Sequence, residues 1–441
     1  MESIMDICVV GAGIGGLALA HGLLADGHRV RVLERAAGPT RSGAAVTIFS
    51  NGAAALAGLG VDLGTAVRGT STPGRTAARG TSTPGRTAAP GTSTSSATEP
   101  GPSAPAGGAA PSGPATVGGA PLGAPIETLA SVDAGGRRIM RADLTVLWRR
   151  TGQQVRTMPR AELIDRLTAG LPAGTIRYDA PVGSVRTDPD GAEVVSAAGT
   201  DRYDVVVGAD GHRSAVRCSV LSPEPAAEVG WDTWQGLTEV LSSIAGGRTG
   251  LLAVGTAGLV GMMPAGQGRT QWWFDVRRGA GPEPAGTGTV GWLRRLFAGY
   301  AEPVPELLAG ITDADIGRYP HVLHRVPDRW GSGPTTLVGD AAHAFPPSQA
   351  QGANQALEDA WLLRRALHGD RGDAASALRR YERLRVPHVR LVSRMAASER
   401  TNLPVPPPLA LLARLAPPRA GGYAYLRLLR RFSSVLANER P

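Results

Sequence analysis

Asp6 to Gly16 reads DICVVGAGIGG, and this stretch decides the fold. An apolar strand, Asp6 to Val10, runs directly into Gly11, Gly13 and Gly16 in the spacing G-x-G-x-x-G, with Gly15 between the last two. The first glycine permits a tight turn and the second lets a pyrophosphate approach the backbone. The third lets the following helix pack closely on the strand, with its N-terminal N–H groups facing the phosphates. Apolar spacing predicts a helix over Gly15 to Asp26 and a second strand over Arg29 to Leu33, which completes one βαβ unit. Glu34 ends that strand eighteen residues after Gly16, where a carboxylate can accept hydrogen bonds from a ribose. Arg35 follows it and is a candidate to lie near the adenine of such a ligand. The unit is expected to bind a dinucleotide.

Two later strand ends say which one. Asp204 to Arg217 reads DVVVGADGHRSAVR, a buried strand ending at Gly208 and followed by Asp210 and Gly211. Leu337 to Asp359 reads LVGDAAHAFPPSQAQGANQALED, a strand ending in Gly339 and Asp340, then a Pro-rich turn, then a helix. With the N-terminal glycines, these segments resemble the three signatures of the group A flavoprotein monooxygenases, the family of p-hydroxybenzoate and salicylate hydroxylases. The likeness spans nearly the whole chain, in order. It implies an α/β fold: a Rossmann-like FAD-binding domain of the p-hydroxybenzoate hydroxylase type, a second sheet-based substrate lobe, and C-terminal helices.

The resemblance also assigns roles. Asp340 is expected to hold the ribityl hydroxyls of a non-covalent FAD, with Gly339 leaving room for that approach. Pro346 shapes a rigid turn, and the helix opened by Gly352, Ala353 and Asn354 would aim its N-terminus at the flavin edge where negative charge collects on reduction. Asp210 is expected near the FAD pyrophosphate, and Arg160, opening a helix over Arg160 to Ala169, is expected to touch FAD. Arg41 matches the loop beside the flavin, and Thr47, Phe49 and Trp234 are candidates for the substrate pocket. Gln235 stands where the family usually has an arginine, which puts a charged substrate anchor there in doubt. His343 is expected to pack inside the flavin domain, because no second ligand stands at metal spacing from it. No catalytic base is identified.

The expected layout is FAD-binding segments over 1–68, 124–221 and 326–368, a substrate lobe over 222–325 and C-terminal helices over 369–441. Trp272 and Trp273 sit in one strand and must point to opposite faces. Between the first two segments, 69–123 is expected to be a disordered insertion. Arg68 to Ala78 reads RGTSTPGRTAA and Arg79 to Ala89 repeats it, and from Gly69 to Thr116 there is no Val, Ile, Leu, Met, Phe, Trp, Tyr or Cys. Such a segment cannot bury enough apolar surface to offset the entropy of ordering it.

The formal charge of +9 comes from 46 basic residues that are all arginine, spread along the chain, against 37 acidic ones. That is a compositional bias and not a basic patch with interleaved aromatics, so nucleic acid is not an expected partner. No apolar run approaches the length of a membrane span. The basic, apolar helix around Tyr425 to Leu436 is expected to pack on the protein's own surface, without stable membrane association. Two cysteines, no disulfide framework and no secretory leader point to the cytoplasm. A monomer and a homodimer both remain open.

The activity implied is insertion of one atom of O2 into a small electron-rich aromatic or polyketide-like substrate, through a flavin C4a-hydroperoxide, with NADPH or NADH as reductant. A reductase or dehydrogenase on the same fold, or a flavin-binding redox sensor, are the alternatives. Flavin-dependent halogenases need an active-site lysine, and this chain has none.

Overall fold

The computed structural model describes residues 4–39, 43–64, 120–197, 199–281, 288–369 and 373–437. Arg41 and all but the last four residues of the 69–123 insertion lie outside them. The insertion's two flanks meet: the Leu122 N–H donates to the Leu63 carbonyl, and the Arg166 guanidinium donates to the carbonyls of Asp62 and Ala120. Leu122 and Gly123, at the end of the expected insertion, have an anchor. Their carbonyls accept hydrogen bonds from Arg156 at 2.7 and 2.9 Å.

A five-stranded parallel sheet forms the first layer. Its strands are β1 (Asp6–Val10), β2 (Arg29–Leu33), β8 (Ile176–Arg177), β12 (Val205–Gly208) and β18 (Thr335–Leu337), in the order β18-β12-β1-β2-β8. Helix α1 (Ile14–Ala25) follows β1, and it packs against α4 (Arg160–Ala169) and α10 (Gly352–Gly369). A parallel sheet covered on both faces needs continuous apolar strands, and Ile7 to Val10 and Val205 to Val207 are all buried. A small sheet, β3 (Ala45–Ile48), β7 (Arg156–Pro159) and β4 (Ala124–Pro125), and an antiparallel meander, β9 (Val182–Asp188), β10 (Gly191–Ser196) and β11 (Gly199–Tyr203), accompany this layer. Short helices α2 (Ser50–Gly58), α3 (Thr145–Thr151) and α5 (Ala215–Val220) connect these pieces.

The second large sheet has seven strands in the order β17-β13-β16-β15-β14-β5-β6. Five come from the expected lobe: β13 (Ala227–Thr238), β14 (Thr249–Gly255), β15 (Gly258–Gly266), β16 (Arg269–Arg277) and β17 (Gly317–Leu323). The other two, β5 (Thr128–Asp133) and β6 (Arg138–Asp143), come from the stretch expected to belong to the FAD-binding segments. β5 adds to β14 in parallel, Thr249 opposite Thr128 through Val254 opposite Asp133, and β6 closes the edge. Alternation along 128–143 shows a strand, whereas the choice of sheet is made by tertiary pairing.

One face of this sheet is covered by α7 (Gly288–Leu296) and α8 (Val304–Gly310), which follow the short helix α6 (Ser242–Ala245). Trp272, Phe274 and Val276 of β16 join Leu293, Phe297 and Leu307 in that core. The remaining helices are α9 (Asp340–His343), α11 (Ala374–Ala397), α12 (Pro407–Leu415) and α13 (Pro418–Arg431). The helix expected around Tyr425 to Leu436 therefore stops at Arg431, and α12 was not anticipated. α13 does lie on the protein's own surface, with Leu426 and Leu429 buried.

Candidate active site

The three strand ends of the first sheet converge. Gly11 takes φ +109°, and a side chain there would strike the Ala209 carbonyl at 2.4 Å, so the first and second signatures touch through bare backbone. Ala356 of α10 fills the space that side chains on Gly15 and Gly339 would need, at 3.1 and 3.0 Å. The third signature is thereby pinned to the first. At Gly16 an added methyl would meet the Gly11 carbonyl at 2.2 Å and Ala209 Cβ at 3.1 Å. Gly16→Ala is expected to cost about 1–3 kcal/mol of stability, because backbone cannot step aside. Urea unfolding checks this, and a loss below about 0.5 kcal/mol would contradict the close packing.

A cleft of about 440 Å³ opens on this junction, lined by Gly11, Gly13, Glu34, Arg35, Asp210 and Gly211, with Arg160 at its wall. Gly13 caps α1 without any side-chain hydrogen bond, so the helix's first N–H groups remain available to an anion. Glu34 is half committed: its carboxylate accepts from the Ala12 and Ala36 N–H groups at 2.8 and 2.9 Å, holding the glycine turn. Asp210 is turned inward. It accepts from the Ser214 hydroxyl and the Ala215 N–H (2.7 Å), capping α5, and burial raises its pKa against those bonds. Its carboxylate shapes the turn while the backbone around Gly211 faces the cleft.

Arg160 links the cleft to Asp340. Burial lowers its pKa, and the charges of Asp340 and Tyr319 act in the opposite sense, so the three share one electrostatic environment. Gly43, at φ +98°, leaves room for the Arg160 stem, whose Cδ lies 2.9 Å from where a side chain would begin. Asp340 is exposed at the start of α9, directly after Gly339 at φ +59°. Pro346 is buried and leads into the turn before Gly352 and Ala353. The Asn354 side chain is fully buried, donating to the carbonyls of Thr47 and Ala350 and accepting from the Phe49 N–H. It ties α10 to β3 and has no side-chain atom left for a ligand.

Beneath Asp340 lies a buried ionic network that the sequence did not reveal. Asp359 accepts from the Gly339 N–H (2.8 Å), from His343 Nε2 (2.6 Å) and from Arg385 Nε (2.7 Å). Arg385 also reaches Glu358, which accepts from Asn51 and from the Ser434 N–H. Burial alone would raise the Asp359 pKa, but His343 and Arg385 overcome it and the net is a lowering. His343 is fully buried between Trp330 and Phe345, as its expected packing role requires.

The seven-stranded sheet presents its second face to β3 and β7. Thr47 Oγ1 lies 2.8 Å from Thr157 Oγ1 and 3.5 Å from Met263 Sδ, so Thr47 does sit where the two sheets meet. Gln271 Nε2 donates to the Ala45 carbonyl across the same junction, while its Oε1 is buried with no partner among the described residues. Phe49 lies nearby in contact with Tyr425, ring centroids 5.4 Å apart. Trp234 does not join them. It pairs in register with Phe274, on the face covered by α7, against Trp292 at 5.5 Å and under the Arg318 guanidinium. Alternation puts Gln235 and Trp273 on the inner face instead, and Trp272 and Trp273 point to opposite sides as expected.

Further along that face Thr233, Asp275 and His321 form a buried cluster closed by Glu399, with His321 Nδ1 2.6 Å from the Glu399 carboxylate. Burial disfavours the imidazolium, but Asp275 and Glu399 outweigh it and raise the His321 pKa to about 9. A histidine raised in the fold adds stability that is fully present below its unfolded value, about 6.5. That stability is lost as pH climbs through the folded one. His321→Gln should remove a decline of roughly 3 kcal/mol between those two values. Unfolding free energy followed against pH checks it, and identical slopes in both proteins would refute the assignment.

Residues 4–396 match the family described as FAD binding domain. The 3-amino-4-hydroxybenzoate 2-monooxygenase of Streptomyces cremeus is 30% identical over 404 residues, covering 90% of this chain and 88% of its own length. The aurachin C monooxygenase/isomerase of Stigmatella aurantiaca is 29% identical over 388 residues, with 88% and 86% covered. The crystal structure of Klebsiella pneumoniae HpxO with FAD and uric acid is similar at a TM-score of 0.72 and 25% identity, covering 99% of this chain and 97% of that one.

Proposed function

This chain belongs to the FAD binding domain family as a group A flavoprotein aromatic hydroxylase, and from that membership we propose that it inserts one atom of O2 into a small electron-rich aromatic ring, with NADH or NADPH as reductant. The observation that carries the reading is the junction of Gly11, Ala209, Gly15, Gly339 and Ala356, which packs three strand ends together beside a cleft lined by Gly11, Gly13, Glu34 and Gly211. The residues fit an FAD. Bare backbone at Gly11 and Gly13 and the open start of α1 suit a pyrophosphate, Glu34 and Arg35 suit the adenosine, and Asp340 suits the ribityl chain. The bound flavin supplies hydride acceptance and oxygen activation.

The chain's own residues then hold and shield the ring. Thr47, Thr157, Met263 and Trp273 border the junction between the sheets, where apolar side chains keep water from the reacting atoms. On the inner face, Thr233 of β13 and Asp275 of β16 are taken up by the His321 cluster, which leaves Gln235 and Gln271 to orient a substrate by neutral hydrogen bonds. The unpartnered Gln271 Oε1 suits an N–H or O–H donor on the ring. Relatives named for hydroxylating aminohydroxybenzoate and urate agree with a polar, nitrogen- or oxygen-bearing ring.

The test is a panel of phenolic and nitrogen-heteroaromatic compounds with purified protein, following NADH and NADPH oxidation, oxygen uptake and product mass together. A product heavier by one oxygen atom supports the reading. Reductant consumption with no oxygen uptake would assign a reductase instead.

A further inference from the structure

α12 is built inside out. Of its nine residues only Ala410 is buried, and its four leucines face away from the protein: Leu409, Leu411, Leu412 and Leu415 are 55%, 58%, 66% and 74% exposed. At 100° per residue these leucines sweep one continuous arc, while Ala410, Ala413 and Arg414 take the opposite side. Leu403 and Val405, just before the helix, are also exposed. The helix is held in this orientation. Arg414 Nε donates to the Arg138 carbonyl at 2.7 Å, and α12 and α13 each pack against the edge strand β6, with Gly421 close against the Arg141 carbonyl.

The surroundings of the patch are basic. From Arg400 to Asn438 there is no Asp or Glu, while Arg414, Arg419, Arg427, Arg430 and Arg431 fall within it. Arg419, Arg427, Arg430 and Arg431 are exposed on or next to α13, and Arg137, Arg138 and Arg141 are exposed on or next to β6. Tyr423 stands 48% exposed between these groups. The acids within reach, Asp133 and Asp143, are each already paired with an arginine of these helices.

We infer that α12 docks the protein reversibly on an anionic lipid surface, leucines in the acyl boundary and the flanking arginines among the headgroups. The apolar arc offers on the order of 400 Å², about half of what each partner buries in a stable protein interface. A second copy would also set these arginines against their own images, whereas an anionic surface neutralises them. No described helix is long and apolar enough to cross a membrane, so the contact is peripheral.

Co-sedimentation of the purified full chain with phosphatidylglycerol and with phosphatidylcholine vesicles tests this. Phosphatidylglycerol vesicles should retain the protein at least about tenfold better, and high salt should largely abolish the difference. The triple variant Leu411→Ser/Leu412→Ser/Leu415→Ser should lose about tenfold or more of that binding with unchanged far-UV dichroism and flavin content. Arg419→Gln/Arg427→Gln should lower binding several-fold through charge alone. The inference is overturned if wild type ignores phosphatidylglycerol vesicles, or if the leucine variant binds as well as wild type. A concentration-dependent dimer that the leucine variant abolishes, with no vesicle binding, overturns it in favour of a second copy.

Discussion

Asp340→Ala should purify as soluble, nearly colourless protein. Asp340 is an exposed carboxylate at the end of a parallel strand, beside Gly339 in a conformation that side chains avoid. Among the described residues no hydrogen bond reaches that carboxylate, and its removal takes from the buried Arg160 only a through-space charge interaction. Loss of one hydrogen bond to a charged acceptor is worth about 1.5–3 kcal/mol, or about 10- to 150-fold in flavin affinity. Flavin content after purification and a fluorescence titration with free FAD measure it. Thermal unfolding of the flavin-free forms should be almost unchanged, which separates a lost ligand contact from a lost fold. A fully yellow variant with wild-type affinity would remove Asp340 from the site.

Arg385→Met should be the more damaging substitution, although it touches nothing in the cleft. Arg385 is fully buried and serves Glu358, Asp359, Gln355 and Ser434 at once. Taking away the cation leaves two carboxylates buried without it, which costs about 3–5 kcal/mol. The pH dependence distinguishes this from a simple packing defect. Burial already holds the Glu358 pKa above its ordinary value and loss of the guanidinium lifts it further, while Asp359 loses one of its two cationic partners and keeps His343. The variant then binds more protons folded than unfolded, and its stability falls as pH rises through the carboxyl range and above. Urea unfolding at mildly acidic and mildly alkaline pH should show the larger deficit at alkaline pH. Because Asp359 also holds the Gly339 N–H, flavin affinity should fall in parallel. A deficit below about 1 kcal/mol at both pH values would show that the network is not a stabilising unit.

Much of the cofactor end was legible in the sequence, for a physical reason. Close backbone approach admits only glycine, so Gly11, Gly16 and Gly339 mark the turns whatever surrounds them. Strand β1, strand β2 and helix α4 were expected over the residues they occupy, since their apolar runs are read locally. The inner face of the large sheet was not legible. Whether Trp234 or Gln235 faces the junction depends on one step of alternation, and the register slips between Glu228 and Asp232 against β17. The Asp359–Arg385–Glu358 network joins residues far apart in sequence, and ordinary helix charges give no hint of burial. Asn354 was legible as part of a helix start, whereas the use of its side-chain amide to tie that helix to Thr47 and Phe49 was not. Leucines on α12 look like a core face until the structure shows them turned outward.

The route of the chain through its two large sheets has a mechanical consequence. The polypeptide leaves the parallel sheet to supply β5 and β6, returns through β8 and β12, leaves again for β13 to β17, and comes back as β18. An excised fragment 222–325 would therefore lack two strands of its own sheet and leave the β14 edge bare, a template for aggregation. The two sheets are braided by covalent threads, so heating or denaturant should melt both in a single cooperative step, with no half-folded survivor that keeps one and loses the other.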